Sequence, residues 1–522
     1  MHKVTNFIQR HAKSKSTSTT PPPINYATYP GTVSAGTASE EQDRYRYRKQ
    51  RGVNLGAWFV LERWIAEAPY RAAASPAQSD LDVARGSDAK NILETHWDTW
   101  ITDTDWAWIA QRGINSVRIP IGYYHICGAD PSVLPGTDFA DFGNVFAGAW
   151  ARIVKAIQTA HSYGIGVLID LHAAPGKQNN DSHSGTSLPP AFFAKKQNMQ
   201  HAKHVLRVLL SLLMRSPNVI GIELLNEPAP PSDPVLQGWY SDTIRELRSV
   251  DPTMPLYIGE CWRAENYAGY ISGLPQTTAT FVALDHHLYR CFTKEDIHIS
   301  ALQHARNMAD ANGTAGMFAR VSEKLGGGLV VGEWSGALNP GSLRGSHDPA
   351  GDQRQFVSAQ LELFEKYCAG YFFWTYKKQN RGDKGWSFRD AVEGGTFPSW
   401  VGLKARRSCI GDEQSRQGRR SNLRDKALAT HTAYWSQYPG HYEHWRLSEG
   451  FVVGWDDAYW FLSSAGVHPG GPVPELGFKG AWGKRRAAEH AQHKGADCLW
   501  EFEHGLKQGI DAARKDFEDN YC

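Results

Sequence analysis

The chain contains no apolar run of about 18 residues, so no segment reads as a membrane-spanning helix. Its opening residues, Met1-His2-Lys3-Val4-Thr5-Asn6-Phe7-Ile8, lack the sustained apolar stretch of a secretory signal. The 7 cysteines (Cys127, Cys261, Cys291, Cys368, Cys409, Cys498, Cys522) form no CxxC pair and no metal-type spacing, which argues against a disulfide framework. Nor is there an excess of one charge sign. A formal net charge of +2 over 522 residues excludes a polyelectrolyte partner for the chain as a whole. Together these absences predict a reducing, intracellular (cytoplasmic) location. One segment is short of acid: residues 1–39 have none, but carry Lys3, Arg10, Lys13, Lys15 and many Ser and Thr. That composition reads as a disordered basic tail, with a mitochondrial presequence as the alternative.

What is present points to a large α/β protein. Residues 1–46 are rich in Ser, Thr and Pro and read as a disordered tail. From there to about residue 395, strand-like runs alternate with stretches long enough for helices. Eight candidate strands stand out: Gly52–Phe59, Ser116–Ile121, Gly166–Leu171, Val219–Leu225, Leu256–Glu260, Thr280–Leu288, Leu329–Val331 and Tyr371–Thr375. Eight strands alternating with helices predict a (β/α)8 barrel over 47–395. Residues 396–522 read as a C-terminal, mainly helical extension packed on the barrel, because Trp455, Tyr459, Trp460 and Phe461 need burial. Within it, Lys404–Lys426 carries eight basic and three acidic residues and reads as a solvated loop. No aromatic residues interleave there, so nucleic-acid binding is not indicated.

The chemistry lies at two strand ends. Val219-Ile220-Gly221-Ile222-Glu223-Leu224-Leu225 runs into Asn226-Glu227-Pro228, and Leu329-Val330-Val331 runs into Gly332-Glu333-Trp334-Ser335. In a barrel of this type catalytic groups sit at the C-terminal strand ends. Two carboxylates on different strands suit glycoside hydrolysis, where one protonates the departing oxygen and the other attacks or activates water. The same ends carry Arg118, His172, Asn226, His287, Tyr289 and Trp374. Aromatics at 12%, with 19 Trp and 21 Tyr, provide a large core and rings that could stack on sugars.

These strand ends, from roughly Arg51 to Trp386, resemble glycoside hydrolase family 5, and within it the fungal exo-β-1,3-glucanase branch. The resemblance rests on Arg51-Gly52-Val53-Asn54-Leu55-Gly56, Val117-Arg118-Ile119-Pro120, Asp170-Leu171-His172-Ala173-Ala174-Pro175-Gly176, Asn226-Glu227-Pro228, His287-Leu288-Tyr289, Gly332-Glu333-Trp334 and Phe373-Trp374-Thr375-Tyr376. It implies that Glu227 is the general acid/base and Glu333 the nucleophile, with no metal or organic cofactor. The acid would have a raised pKa and its partner would stay ionised. Asn226 would contact the sugar 2-hydroxyl, while Arg118 and Tyr289 would orient the nucleophile. His172 and His287 would line the pocket, Trp374 would support the cleaved sugar, Glu62 would capture outer hydroxyls of the terminal glucose, and Phe292 would form one side of an aromatic clamp. His286 is expected on the opposite face of its strand. The loop Gln178-Asn179-Asn180-Asp181-Ser182-His183 departs from the pattern, since Asp181 falls where the second clamp aromatic belongs.

The expected activity is therefore a retaining, exo-acting β-glucosidase of β-1,3-glucan or oligosaccharides. A β-glucosidase of glucolipids (steryl glucosides or glucosylceramide) is the first alternative, and a non-catalytic sugar-binding barrel the second.

Overall fold

Short strands buried on both faces have no solvated edge to spare, and here they close on themselves. In the computed structural model, which describes residues 39–275, 279–464 and 472–522, β1 (Gln50–Asn54), β2 (Ser116–Gly122), β3 (Gly166–Ala173), β4 (Val219–Glu223), β5 (Leu256–Gly259), β6 (Val282–Arg290), β7 (Leu329–Leu338) and β8 (Gly370–Phe373) form a closed parallel barrel in chain order. All eight expected strands are found, with shifted ends. β1 stops at Asn54, where the expected run to Phe59 turns into a loop. β7 runs past Glu333 to Leu338.

The connecting helices lie outside the barrel. Among them α1 (Glu40–Tyr47) precedes β1, α2 (Ala149–Ser162) precedes β3, α3 (Lys196–Leu213) precedes β4, and α4 (Asp233–Val250) precedes β5. α1 corrects the end of the expected disordered tail. Ser39 caps it, with its hydroxyl accepting the Gln42 N–H (3.2 Å) while the Gln42 side chain accepts the Ser39 N–H (2.9 Å). Tyr45, Arg46 and Tyr47 are buried, so composition misled at residues 39–46 where capping and burial decide. The rest of that tail, including its expected presequence character, lies outside the described residues.

The extension consists of α5 (Glu413–Trp435), α6 (Trp445–Leu462), α7 (Lys479–Lys494) and α8 (Leu499–Tyr521). The expected loop 404–426 is corrected from Glu413 onward. α5 is polar nearly all round and buries only His431, so it carries no apolar period to reveal it. The other three helices cover the N-terminal end of the barrel. Strand residues Leu168, Ile220, Tyr257, Ala283, Val330 and Phe372 share one core with Phe451, Trp455, Phe478, Trp482 and Phe502. An ion network seals the same end: Arg51 donates to Glu365 (2.7 and 2.9 Å) and Glu475 (2.5 Å), and Arg514 to Glu475 (2.6 Å).

α6 and α8 cross at close range through Gly450 and Gly454 on one helix and Gly505 and Gly509 on the other. A Cβ on Gly454 would lie 2.1 Å from the Leu506 carbonyl oxygen. Gly454→Val is therefore expected to destabilise the chain by about 3 kcal/mol through overpacking against backbone. Chemical denaturation measures this, and an unchanged midpoint would mean that the helix pair separates at no cost.

Candidate active site

The C-terminal strand ends carry a buried set of charges organised by one cation. Arg118 on β2 is fully buried and makes four hydrogen bonds and a further ion pair. Nε donates to Glu223 (2.7 Å). Nη1 donates to Asn54 (3.1 Å) and Glu333 (3.0 Å). Nη2 donates to Asn226 (2.8 Å) and approaches Asp170 (3.1 Å). Glu333 Oε1 is thus held by Arg118, and its Oε2 accepts the Tyr289 hydroxyl at 2.7 Å.

Register shifts aim these groups. The β6–β7 pairing skips between His286 and His287, and β7–β8 skips between Val331 and Trp334. Gly332 fits inside the first irregularity because a Cβ there would lie 2.1 Å from an Asp285 carboxylate oxygen. Its N–H instead donates to Asp285 at 2.5 Å.

Glu227 sits just past β4 with φ +40°, a left-handed conformation that is costly for a non-glycine residue. The following loop of β3 braces it. Gln178 donates to the Asn226 carbonyl (3.0 Å) and the His172 carbonyl (2.7 Å), and Asn179 donates to the Glu227 carbonyl (2.9 Å). The Glu227 carboxylate meets His287 Nδ1 at 2.7 Å and His183 Nε2 at 3.7 Å. Oxygens of Glu227 and Glu333 and a His287 ring nitrogen all lie within 4.8 Å of one another. Among the described residues this group could also offer ligands to an ion, but Arg118 and His287 already supply positive charge there.

His287 dominates the electrostatics between the two carboxyls. Burial opposes the His287 charge, yet Glu333, Asp285 and Glu227 hold its pKa well above the usual imidazole range. Burial likewise pushes Glu227 up, but the hydrogen bond and charge of His287, then the charge of His183, bring it down to about 2. Glu333 is raised, first by burial and then by Glu227's negative charge, against His287, Arg118 and Tyr289. The two carboxyls are thus shifted in opposite directions, Glu227 down because His287 is its direct hydrogen-bond partner and Glu333 up because it is buried beside Glu227. His172, pressed by burial and neighbouring positive charge, stays neutral and faces Asp170 at 2.6 Å.

The remaining expected residues divide. Trp374 is buried, stacked on His172 at 5.7 Å with ring planes 5° apart. Glu62 accepts the Trp64 indole N–H at 2.7 Å. Burial raises its pKa to about 7, against the His183 charge and the Trp64 hydrogen bond. Phe292 is 72% exposed at the rim, 5.8 Å from Trp386 and 5.5 Å from Tyr289. Trp386 in turn contacts Trp64 at 5.3 Å, so the rim aromatics form one continuous wall. Asp181 lies at the outer edge of the pocket, with a carboxylate oxygen within 4.8 Å of one on Glu227. Its side chain is exposed and 3.8 Å from His183 Nε2, and its N–H donates to Asn179 Oδ1 at 2.9 Å where the loop turns. His286 faces away, onto Glu260 at 2.5 Å.

Sequence reasoning passed over Asp170, Glu223, Asp285, His183 and Trp386. Alternation offered a signal for two of them: Asp170 shares a face with His172, and Asp285 with His287 and Tyr289.

Comparison with known proteins agrees with this geometry. Residues 84–380 match the family described as Cellulase (glycosyl hydrolase family 5). Residues 416–517 match the Glucan 1,3-beta-glucosidase 3 C-terminal domain. The chain is 33% identical to glucan 1,3-beta-glucosidase 3 of Schizosaccharomyces pombe, over 89% of this chain and 95% of that protein. It is 31% identical to a probable glucan 1,3-beta-glucosidase A of Aspergillus fumigatus, over 67% and 87%. Among solved structures, rutinosidase from Aspergillus niger shares the fold with TM-score 0.54 and 20% identity, over 68% of this chain and 99% of that one.

Proposed function

The chain belongs to glycosyl hydrolase family 5 and is a glycoside hydrolase; from that premise we propose a retaining exo-β-glucosidase that releases glucose from β-1,3-glucans and their oligosaccharides. The observation that carries the retaining assignment is the approach of Glu227 and Glu333 oxygens to within 4.8 Å. Retaining pairs stand about 5–5.5 Å apart, whereas inverting pairs leave about 6.5–9.5 Å for a water. Names of the relatives support glucan as the substrate. Neither a glucolipid nor a binding-only barrel is favoured by them, and a binding protein has no use for both carboxylates.

In the proposed cycle Glu333 attacks the anomeric carbon and forms a glycosyl ester. The C1–O bond breaks as Glu227 gives a proton to the leaving oxygen. His287 Nδ1 lies one 2.7 Å hydrogen bond from Glu227 Oε1, so it can pass that proton to Glu227 and the Glu227–His287 pair acts as the acid. Once Glu333 is an ester its negative charge is gone, which favours ionised Glu227 as the base that takes a proton from water. The water oxygen then attacks C1 and frees Glu333. Arg118 and Tyr289 orient the attacking carboxylate through charge-assisted hydrogen bonds. Asn226, fixed by Arg118, is left to face the 2-hydroxyl.

The described residues include no helix long and apolar enough to cross a membrane. All seven cysteines are free.

Incubation with laminarin oligosaccharides, cellobiose and a steryl glucoside in parallel tests the reading. Glucose should appear from the laminarin series first, initially as the β-anomer by NMR. Initial α-glucose would rule out retention, and preference for the steryl glucoside would overturn the glucan assignment. Trp386→Ala is expected to raise KM for laminaritriose roughly fivefold, the loss of about 1 kcal/mol of aromatic contact. Turnover of an aryl β-glucoside should hardly change. If both substrates suffer equally, the aromatic rim supports the pocket and does not hold the next sugar.

A further inference from the structure

We propose that His431, His444 and Glu501, on the helical extension, form a binding site for a divalent transition-metal ion, zinc in the first instance. His431 Nε2 and His444 Nδ1 each lie 2.8 Å from the same oxygen, Glu501 Oε2. The three ligand atoms lie within 4.8 Å of one another. They arrive from three places: His431 near the end of α5, His444 just before α6, and Glu501 in the first turn of α8. No spacing motif in the chain announces them.

An independent observation points to a cation. Glu501 is fully buried at 0% exposure, yet among the described residues no lysine or arginine lies within ion-pair distance of its carboxylate. A buried carboxylate without a permanent counter-charge is costly. Its second oxygen accepts only the Glu443 N–H at 2.6 Å, which fixes its orientation without neutralising it. Two imidazoles and one carboxylate make a borderline-soft set that suits zinc and not magnesium or calcium, which prefer all-oxygen shells.

The surroundings fit a held ion. Tyr442 stacks on His444 with ring centroids 5.5 Å apart, and Trp500 lies 5.7 Å from His431. Trp435 closes on Trp500 at 4.9 Å. Zinc bonds of about 2.0–2.1 Å in a tetrahedron separate ligand atoms by about 3.3 Å, so each imidazole need retreat only about half an ångström. A water would complete the shell. The ion would also tie down α5, for which His431 is the one buried side chain.

The test uses the full-length protein, stripped with a chelator and then given Zn2+ or Co2+. After gel filtration the chain should retain about one equivalent of metal, with the visible absorption of tetrahedral cobalt and a raised thermal midpoint. His444→Ala and Glu501→Gln should lose the metal while aryl β-glucoside turnover, which reports folding, stays unchanged. A wild-type chain that retains no metal above background overturns the proposal, as do variants that bind as well as wild type. If a variant loses turnover as well, the wild-type cobalt spectrum decides: tetrahedral bands with imidazole ligation support the site, and an octahedral spectrum overturns it.

Discussion

Glu333→Ala is expected to lower kcat for an aryl β-glucoside by a factor on the order of 10⁴ or more, with the fold intact by circular dichroism. The loss follows from removing the carboxylate that Arg118 and Tyr289 hold at 3.0 and 2.7 Å. Because either carboxylate could abolish turnover when removed, the two roles need a test that the rate alone does not supply. Azide provides it. In Glu333→Ala, azide should attack from the vacated side and yield α-glucosyl azide. In Glu227→Ala, an activated aryl glucoside should still form the glycosyl ester, and azide should then give β-glucosyl azide. Exchange of those two products would reverse the assignments of Glu227 and Glu333. Unchanged turnover in Glu333→Ala would remove it from the chemistry altogether.

Arg118→Met is expected to be nearly as damaging by a different route. It would leave Asp170, Glu223 and Glu333 facing one another without the guanidinium that binds all three. Breaking a buried ion pair by deleting one partner costs about 3–5 kcal/mol, read as a lower denaturation midpoint. Activity should fall by a further factor on the order of 10² from lost orientation of Glu333 and Asn226. Lysine should not rescue it, since one ammonium cannot direct five donors in a plane. A variant as stable as wild type would mean that these carboxylates are protonated and need no cation.

Much of this was legible in the chain. Strand-end placement singled out Glu227, Glu333, Arg118, His172, His287 and Tyr289, all of which converge, because a barrel turns ordered motifs into one rim. His183 was not legible, since ungapped counting cannot see the loop turn at Asn179 that brings it beside Glu227. The downward shift of Glu227 was hidden for a related reason. It depends on a 2.7 Å contact between Glu227 and His287, which lie 60 residues apart. α5 stayed invisible because a helix with a single buried side chain has no apolar rhythm, and α1 because its capping box is embedded in tail-like composition.

The seal at the base of the barrel has a consequence for how the chain is made. Arg51 reaches Glu475, 424 residues later in translation, and Tyr47 accepts the N–H of Gly477 at 2.9 Å. At about 5–20 residues per second, the first strand waits roughly 20–85 s for its partners to leave the ribosome. Until then Leu168, Ile220, Tyr257 and Phe372 lack the helices that share their core in the finished chain. A nonsense codon just before Arg514, more than a hundred residues after the last strand, is thus expected to cost the cell the whole enzyme. Pulse-chase turnover of such a truncated chain, compared with full length, checks this, and equal half-lives would show that the barrel stands without its seal.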